Sequence, residues 1–382
     1  MKRITIVIII VLLLMPITVY AETEEEIMKT TKDTVNISEF IKQSEKYTGE
    51  FLEDVDISKT LEQAIKGDVD NNKIYKKVIS LLGTEFSSSL KMLISILVII
   101  VIHGILKSIT DNLKNSNISQ IIYFVQYILI VTLIMSNFTE IINLVKETSS
   151  NLVGFVNVLA PLLLTLMVYT GGITTSTMLE PIILFVINFV ANIIESVLIP
   201  IMMIVVVFSI ISKISDKVQL DKLSKFMKSG VVWFLGVVLT LFVGVVSLEG
   251  TLGSSIDGIT AKTTKAVMSN AIPVVGKVIG DAVDSVLGCG VILKNAVGFV
   301  GVIIIIGICI IPIIKIATLT IMYNLASAVV QPIADEKIVK LLEEMGGIFK
   351  ILLGILCSIS VLLLVGVTLV IKISNSGMMY RW

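Results

Sequence analysis

The chain has 382 residues, of which 55% are hydrophobic and only 16% are charged, and its mean hydropathy is +0.97. A soluble domain of this size needs far more polar surface, so the composition predicts a polytopic membrane protein built from helices. The formal net charge is zero, and no basic patch carries interleaved aromatic residues, which argues against a nucleic-acid partner.

The first 21 residues have the pattern of an export signal. Lys2 and Arg3 precede an apolar run from Ile4 to Met15, and Val19 and Ala21 are small residues at the two positions that a signal peptidase reads. We expect a cleavable signal peptide, and an uncleaved anchor of the same orientation is the alternative. In either case the next segment is expected outside the cytoplasm.

Residues 22–89 are predicted to form a short acidic segment on that outer side. Eleven acids and five lysines lie between Glu22 and Lys59. Helical spacing is present in "ISEFIKQSEKYTGEFL" and in "SKTLEQAIKG", where Ser58 can cap the start of a helix and Gly67 its end. Because the segment is too short and polar to bury a large core, we expect a partner-binding helical arm rather than an enzyme domain.

The remainder, residues 90–382, is predicted to be the membrane domain. About twenty apolar residues cross the hydrocarbon core of a bilayer. The candidate runs are Leu90 to Leu106, Ile118 to Phe138, Asn151 to Tyr169, Pro181 to Ser212, Val231 to Leu248, Ala296 to Val330 and Ile348 to Ile371. Two of them are too long for one crossing, so we expect about seven to nine transmembrane or re-entrant helices.

The run from Pro181 to Ser212 would extend about 48 Å as one helix. Pro200 inside it has no N–H to donate, so the run is predicted to form a hairpin of two short helices, with one helix plus a re-entrant half as the alternative. Two crossings here leave the segment Lys213 to Lys228 in the cytoplasm, as the positive-inside rule prefers. The same counting leaves "ADEKIVKLLEEM", residues 334–345, on the outer side.

The chain also resembles itself at an offset of 112 residues. Residues 140–250 and 252–366 are candidate repeats, a construction that many transporters share. Each candidate repeat carries two prolines 39 residues apart. The four predicted helix breaks are Pro161, Pro200, Pro273 and Pro312.

Ser269 to Gly290, "SNAIPVVGKVIGDAVDSVLGCG", has apolar residues at helical spacing, and its glycines would allow close helix approach. This pattern predicts an interfacial or pore-facing helix, and a helix lying on the membrane surface is an equal alternative.

Three long motifs resemble the stage III sporulation protein AE family of endospore-forming bacteria. They are "SSNLVGFVNVLAPLLLTLMVYTGG", "SNAIPVVGKVIGDAVDSVLGCGVILKNAVG" and "YNLASAVVQPIADEKIVKLLEEMG". The order of export signal, acidic outer segment and polytopic body is similar too, so the resemblance covers essentially the whole chain. It implies a mother-cell membrane component of a complex that bridges the space to the engulfed forespore and acts as a channel or secretion-like conduit. The family supplies no catalytic residues to transfer.

The candidate site is a set of polar residues within the apolar runs. Asn188, Asn192 and Glu195 are spaced by four and three, so they share one helix face. A carboxylate inside a membrane is costly and by default suggests function. The alternative is that the three groups bond neighbouring helices together. Lys315 occupies a comparable place in the second repeat, where it could pair with Glu195 or reach the membrane surface.

No catalytic, cofactor or metal site is predicted. His103 is the single histidine, and Cys289, Cys309 and Cys357 have no CxxC spacing. The chain has no Gly-rich phosphate loop, no G-x-S-x-G and no HExxH. We therefore expect no enzyme activity and no cofactor.

Three functions remain open. The resemblance favours a subunit of a multiprotein channel complex in the mother-cell membrane that faces the forespore. The candidate repeats and Glu195 favour a stand-alone secondary transporter of a small solute, and a membrane scaffold without transport activity is the third option. The expected partners are other membrane subunits of the sporulation complex and the lipid bilayer, and a homo-oligomer is left open.

Overall fold

The computed structural model describes residues 37–47, 56–66, 116–214, 219–271 and 275–379, together with parts of 83–105 that include the helical residues 94–102. Within these residues every regular element is a helix. The helices are α1 (Ile37–Ser44), α2 (Ile57–Lys66), α3 (Ser116–Tyr169), α4 (Ile173–Ile193), α5 (Ile199–Ile214), α6 (Asp221–Ala271), α7 (Val275–Val330) and α8 (Glu336–Met379). The predicted signal peptide and His103 lie outside the described residues.

In the described part of the chain, five helical segments are long and apolar enough to cross a membrane: α3, the continuous α4–α5 segment, α6, α7 and α8. This confirms the all-α, multi-pass membrane class. The division of the chain into spans differs from the prediction, however, because several predicted spans are merged into one helix.

The runs 118–138 and 151–169 lie together in α3, which has 54 residues and extends about 80 Å. The polar stretch between them stays helical because Ile141 and Val145, at helical spacing, are completely buried. Pro161 lies inside α3 and Pro312 inside α7. The predicted breaks at these two prolines are therefore wrong. Neighbouring helices can compensate for the hydrogen bond that a proline removes.

The predicted hairpin at Pro200 is also wrong. Residues 173–214 form one helical segment in which a single π turn, Ile194–Leu198, precedes the proline. The N–H of Ile199 bonds the carbonyl of Ile194, five residues back. A proline ring clashes with the carbonyl four residues before it, and one wider turn accommodates that clash without ending the helix.

The end of α5, the start of α6, the end of α7 and the start of α8 lie at the same end of the bundle, which we call the basic end. Lys213 of α5 bonds both carboxylate oxygens of Asp221 of α6, at 2.9 and 3.0 Å. Lys228 of α6 forms an ion pair with Glu344 of α8. Residues 334–345 therefore lie at the same end as the lysine-rich segment, and their predicted place on the opposite side is wrong. The reason is that α7 crosses once rather than twice.

The centre of the bundle is formed by α3, α7 and α8, whose facing side chains are fully buried, as at Phe155, Ile305 and Leu352. Helix α6 lies at the periphery and exposes Trp233, Leu241 and other apolar side chains. In a membrane such residues face lipid or another protein.

The short helices of the acidic segment pack on the bundle rather than standing apart from it. Phe40 of α1 and Tyr47, in the turn after it, lie against the ring of Phe155 in α3, with ring centroids 6.4 and 6.1 Å away. Tyr47 also covers Gly154, where an added Cβ would come within 2.8 Å of the phenol oxygen. The absence of a side chain at Gly154 is therefore what admits Tyr47.

The predicted amphipathic helix from Ser269 to Gly290 is not a helix of its own. Helix α6 ends at Ala271 and α7 begins at Val275, so most of the segment is the first part of the long α7. Pro273 lies outside the described residues, and the face that this part of α7 presents stays a prediction.

Candidate functional site

The predicted polar residues of the α4–α5 segment lie on the outside of this chain. Asn188, Asn192, Glu195 and Ser196 are all exposed, and we call them the polar face. Glu195 and Ser196 belong to the π turn before Pro200. Single π turns inside α-helices occur frequently at functional sites.

The polar face lies near the middle of its helical segment. At 1.5 Å per residue, Glu195 is about 27 Å along the axis from Lys213 at the basic end and about 30 Å from Thr175 at the other end. The hydrocarbon core of a bilayer is about 30 Å thick. Glu195 is therefore as far from both polar ends of the segment as a residue can be.

Only part of the polar face is satisfied within the chain. Asn188 exchanges hydrogen bonds with Asn157 of α3 at 3.3 and 3.4 Å, and it also donates to the carbonyl of Leu184. Asn192 accepts a hydrogen bond from Ser196 at 3.1 Å. Glu195 bonds no described residue, and the amide nitrogen of Asn192 donates to none. Among the described residues, the carboxylate of Glu195 and the amide nitrogen of Asn192 thus lie side by side without a partner.

Lys315 does not meet Glu195. Its ammonium group lies 2.6 Å from the carboxylate of Glu140 in α3. The predicted pairing of Lys315 with Glu195 is therefore wrong. The reason is that α7 packs against α3 at this level, and a second contact between the same helices, Asn137 donating to Tyr323 at 3.0 Å, lies two turns away.

A carboxylate that sequence reasoning missed holds the start of α4. Asp257 of α6 accepts the backbone N–H groups of Thr174 and Thr175, each at 2.9 Å, and the hydroxyl of Thr175 at 2.6 Å. These N–H groups are the ones that a helix start leaves without partners, and a negative charge there is favoured by the helix dipole. Gly253 permits the close approach, because a Cβ there would lie 2.7 Å from the Cα of Thr175.

The turn before α4 explains the glycine pair in the motif "VYTGG". Gly171 has a φ of 81°, which L side chains rarely adopt. The N–H of Gly172 then bonds the carbonyl of Met167, five residues back, at 2.9 Å. This is a Schellman ending of α3. Helix α4 begins at the next residue, Ile173, so the turn leads directly into the helix start that Asp257 caps.

A second missed residue is Lys294 in α7, whose side chain has no solvent exposure. Its ammonium group donates to the carbonyl of Ile371 in α8 at 3.1 Å. A lysine within a membrane helix is rare and faces the interior of the bundle. No spacing pattern in the sequence marked it, because its partner is a backbone carbonyl.

Metal chemistry finds no support in the described residues, where no group of three histidine, cysteine or acidic side chains could hold an ion. Cys289, Cys309 and Cys357 form no disulfide, and two of them are buried. They act as small apolar groups in the packing.

Two comparisons with known proteins identify the same family. The family model described as Stage III sporulation protein AE matches residues 55–374. The protein of that name from Bacillus subtilis (strain 168) is 28% identical over 374 residues, which cover 95% of this chain and 92% of that protein. No solved structure matches the chain.

Proposed function

Because the chain belongs to the stage III sporulation protein AE family, we propose that it is an integral membrane subunit of a multiprotein channel or secretion-like complex that links mother cell and forespore. The polar face supports this proposal independently of the family. A free carboxylate near the middle of a membrane helix costs about 3 kcal/mol or more when it faces lipid. A protein neighbour removes that cost, so the face favours a subunit of an assembly over a protein that works alone.

The orientation follows from charge. The basic end collects Lys213, Lys222, Lys225 and Lys228, and the positive-inside rule assigns such an end to the cytoplasm. The opposite end, where Asp257 caps α4, then faces the space between the mother cell and the forespore. Helix α1 packs against Phe155 of α3, two residues from the Asn157 that bonds Asn188, so it lies near the level of the polar face rather than beyond that end.

A stand-alone secondary transporter is less well supported. Substrate sites of such transporters lie between repeats, where broken helices meet. Here Glu195 points outward from the bundle, Lys315 is paired with Glu140, and the helices continue through Pro161 and Pro312. A scaffold without conduction also needs contacts with partner proteins. The polar face therefore does not distinguish a scaffold from a channel subunit, and sporulation of variant cells has to do so.

The test compares two substitutions of Glu195 in sporulating cells of the native host. Glu195→Gln keeps shape and hydrogen bonding and removes the charge, whereas Glu195→Leu removes both. If the charge serves conduction or ion pairing, both variants lose sporulation at normal protein levels. If the group only bonds a neighbour, Gln is silent and Leu reduces recovery of the complex by co-purification.

The proposed function fails if no other sporulation membrane subunit is crosslinked to, or co-purified with, the wild-type chain. Full sporulation and full recovery with Glu195→Leu would instead show that the polar face has no role. Glu249→Leu is a matched control, since Glu249 is a half-exposed acid of α6 that bonds no described residue.

A further inference from the structure

The polar face is flanked by apolar side chains that are equally exposed. Phe185 lies before the face along the segment and Phe189 lies beside Asn188, and their rings stack with centroids 5.5 Å apart. On the other side, Met203, Ile204 and Val207 continue the same exposed stripe. One side of the α4–α5 segment therefore presents an exposed stripe that is apolar at both ends and polar in the middle. Lipid tails cannot form hydrogen bonds with the polar groups in the middle.

We infer that a second copy of this chain packs against this stripe, with the polar face at its centre. The inference rests on the proposed role of the face as a protein contact and names the neighbour. Two copies inserted in one membrane share their orientation, so identical residues meet at identical depth around an axis normal to the bilayer. The stripe must then be complementary to itself.

The polar face meets that requirement. Glu195 supplies acceptor oxygens, and Asn192 supplies an amide donor about 4.5 Å away along the axis, within the reach of a glutamate side chain. Across a symmetric contact the Asn192 amide of each copy can donate to the Glu195 carboxylate of the other copy. Two equivalent hydrogen bonds then form across the contact. Polar bonds of this kind hold membrane helices together.

Lys315 and Lys294, the two lysines among the apolar residues of α7, are both engaged within the chain. Lys315 is held by Glu140, and Lys294 is enclosed between α7 and α8 and bonds Ile371. A different subunit would have to bring its own cation to Glu195, whereas a second copy needs only the amides already on the face. The two cases predict different crosslinks.

Site-specific disulfide formation tests the contact with the full chain, in which the three native cysteines are replaced by alanine. Met203→Cys is the reporter, because it lies on the stripe and leaves the polar face intact. Val232→Cys is its control, because it is 56% exposed and lies at a similar depth on α6. Ser209 contacts Ser224, and Met203 and Val232 are six and eight residues from these two serines. In liposomes that contain only this protein, we expect oxidation to give a dimer from position 203 and none from position 232.

The second arm removes the polar bonds. Glu195→Leu or Asn192→Leu in the Met203→Cys background should lower the rate of dimer formation about tenfold, as expected for two lost polar contacts between membrane helices. Glu195→Gln, which still accepts, should stay close to the parent. Equal crosslinking from positions 203 and 232, or no effect of either leucine, overturns the inference.

A dimer that is absent in liposomes, with position 203 joined only to another protein in native membranes, also overturns it and assigns the face to a different subunit. That outcome leaves the proposed function standing. Conversely, a robust dimer in a protein that co-purifies with no sporulation subunit supports the inference and removes the proposed function.

Discussion

The contact of Asp257 with the start of α4 gives the sharpest stability prediction. Asp257→Ala removes a buried acceptor that receives two backbone N–H groups and one hydroxyl. Replacing an N-cap side chain by alanine costs about 0.5 to 2 kcal/mol. A hydrogen bond from a neutral hydroxyl to a charged group contributes about 1.5 to 3 kcal/mol. Since such terms are not additive within one cluster, we expect a loss of about 3 kcal/mol.

The assay is thermal unfolding of the purified protein in detergent. A loss of about 3 kcal/mol corresponds to a fall of about 4 °C in the melting temperature of a chain this long. Asp257→Asn keeps one acceptor oxygen but loses the charge, so it should fall about half as far. Glu249→Ala, on the same helix but without a described partner, should change the free energy of unfolding by less than about 0.5 kcal/mol.

Hydrogen exchange adds a local measurement. Without the carboxylate, the amides of Thr174 and Thr175 should lose protection, while amides in the middle of α4 keep theirs. If Asp257→Ala melts like Glu249→Ala and leaves both amides protected, the carboxylate does not hold this helix start, and the packing of Gly253 against Thr175 must do so alone.

Three further predictions concern the rest of the molecule. Lys294→Met should leave the melting temperature unchanged or raise it, since apolar groups of similar volume replace buried charges well, whereas Lys294→Ala should cost about 2 to 4 kcal/mol through the cavity it leaves. A melting temperature lowered equally by both would contradict this. Single cysteines at Lys222 and Lys340 should be labelled from the same side of the membrane, and a cysteine at Lys59 from the other side. Labelling of positions 222 and 340 from opposite sides would refute the single crossing of α7. Deletion of residues 22–67 should leave insertion intact and weaken recovery of partner proteins, and Gly154→Leu, which displaces Tyr47, should do the same to a smaller degree. Unchanged recovery in the deletion strain would remove the role of the arm.

The sequence predicted the class of the molecule and the family because both depend on long stretches of composition. It could not predict where helices end, because a proline is a local signal and its outcome depends on neighbours. At Pro200 the helix adjusts by one π turn, and at Pro161 it continues within α3. Only packing against other helices decides between these outcomes and a hairpin.

The candidate site was predicted in part for a similar reason. The spacing of Asn188, Asn192 and Glu195 follows from the helix period, whereas their exposure does not. Asp257 lies more than 80 residues from the threonines it caps, so no local motif could connect them. The pairing of Lys315 with Glu140 depends on which helices are neighbours, and the candidate repeat placed the wrong pair together.

The errors in the predicted span count affect the two topological predictions differently. Ahead of the lysine-rich segment, the sequence suggested five crossings, and the structure merges two runs into α3 and the expected hairpin into α4–α5. Two crossings disappear, so the parity of the count is unchanged, and the cytoplasmic side of residues 213–228 stays a prediction. After that segment only the crossing of α7 is lost, so the parity changes and residues 334–345 move to the basic end. The ion pair of Lys228 with Glu344 is the contact that requires this move, because its two partners cannot lie on opposite sides of a bilayer.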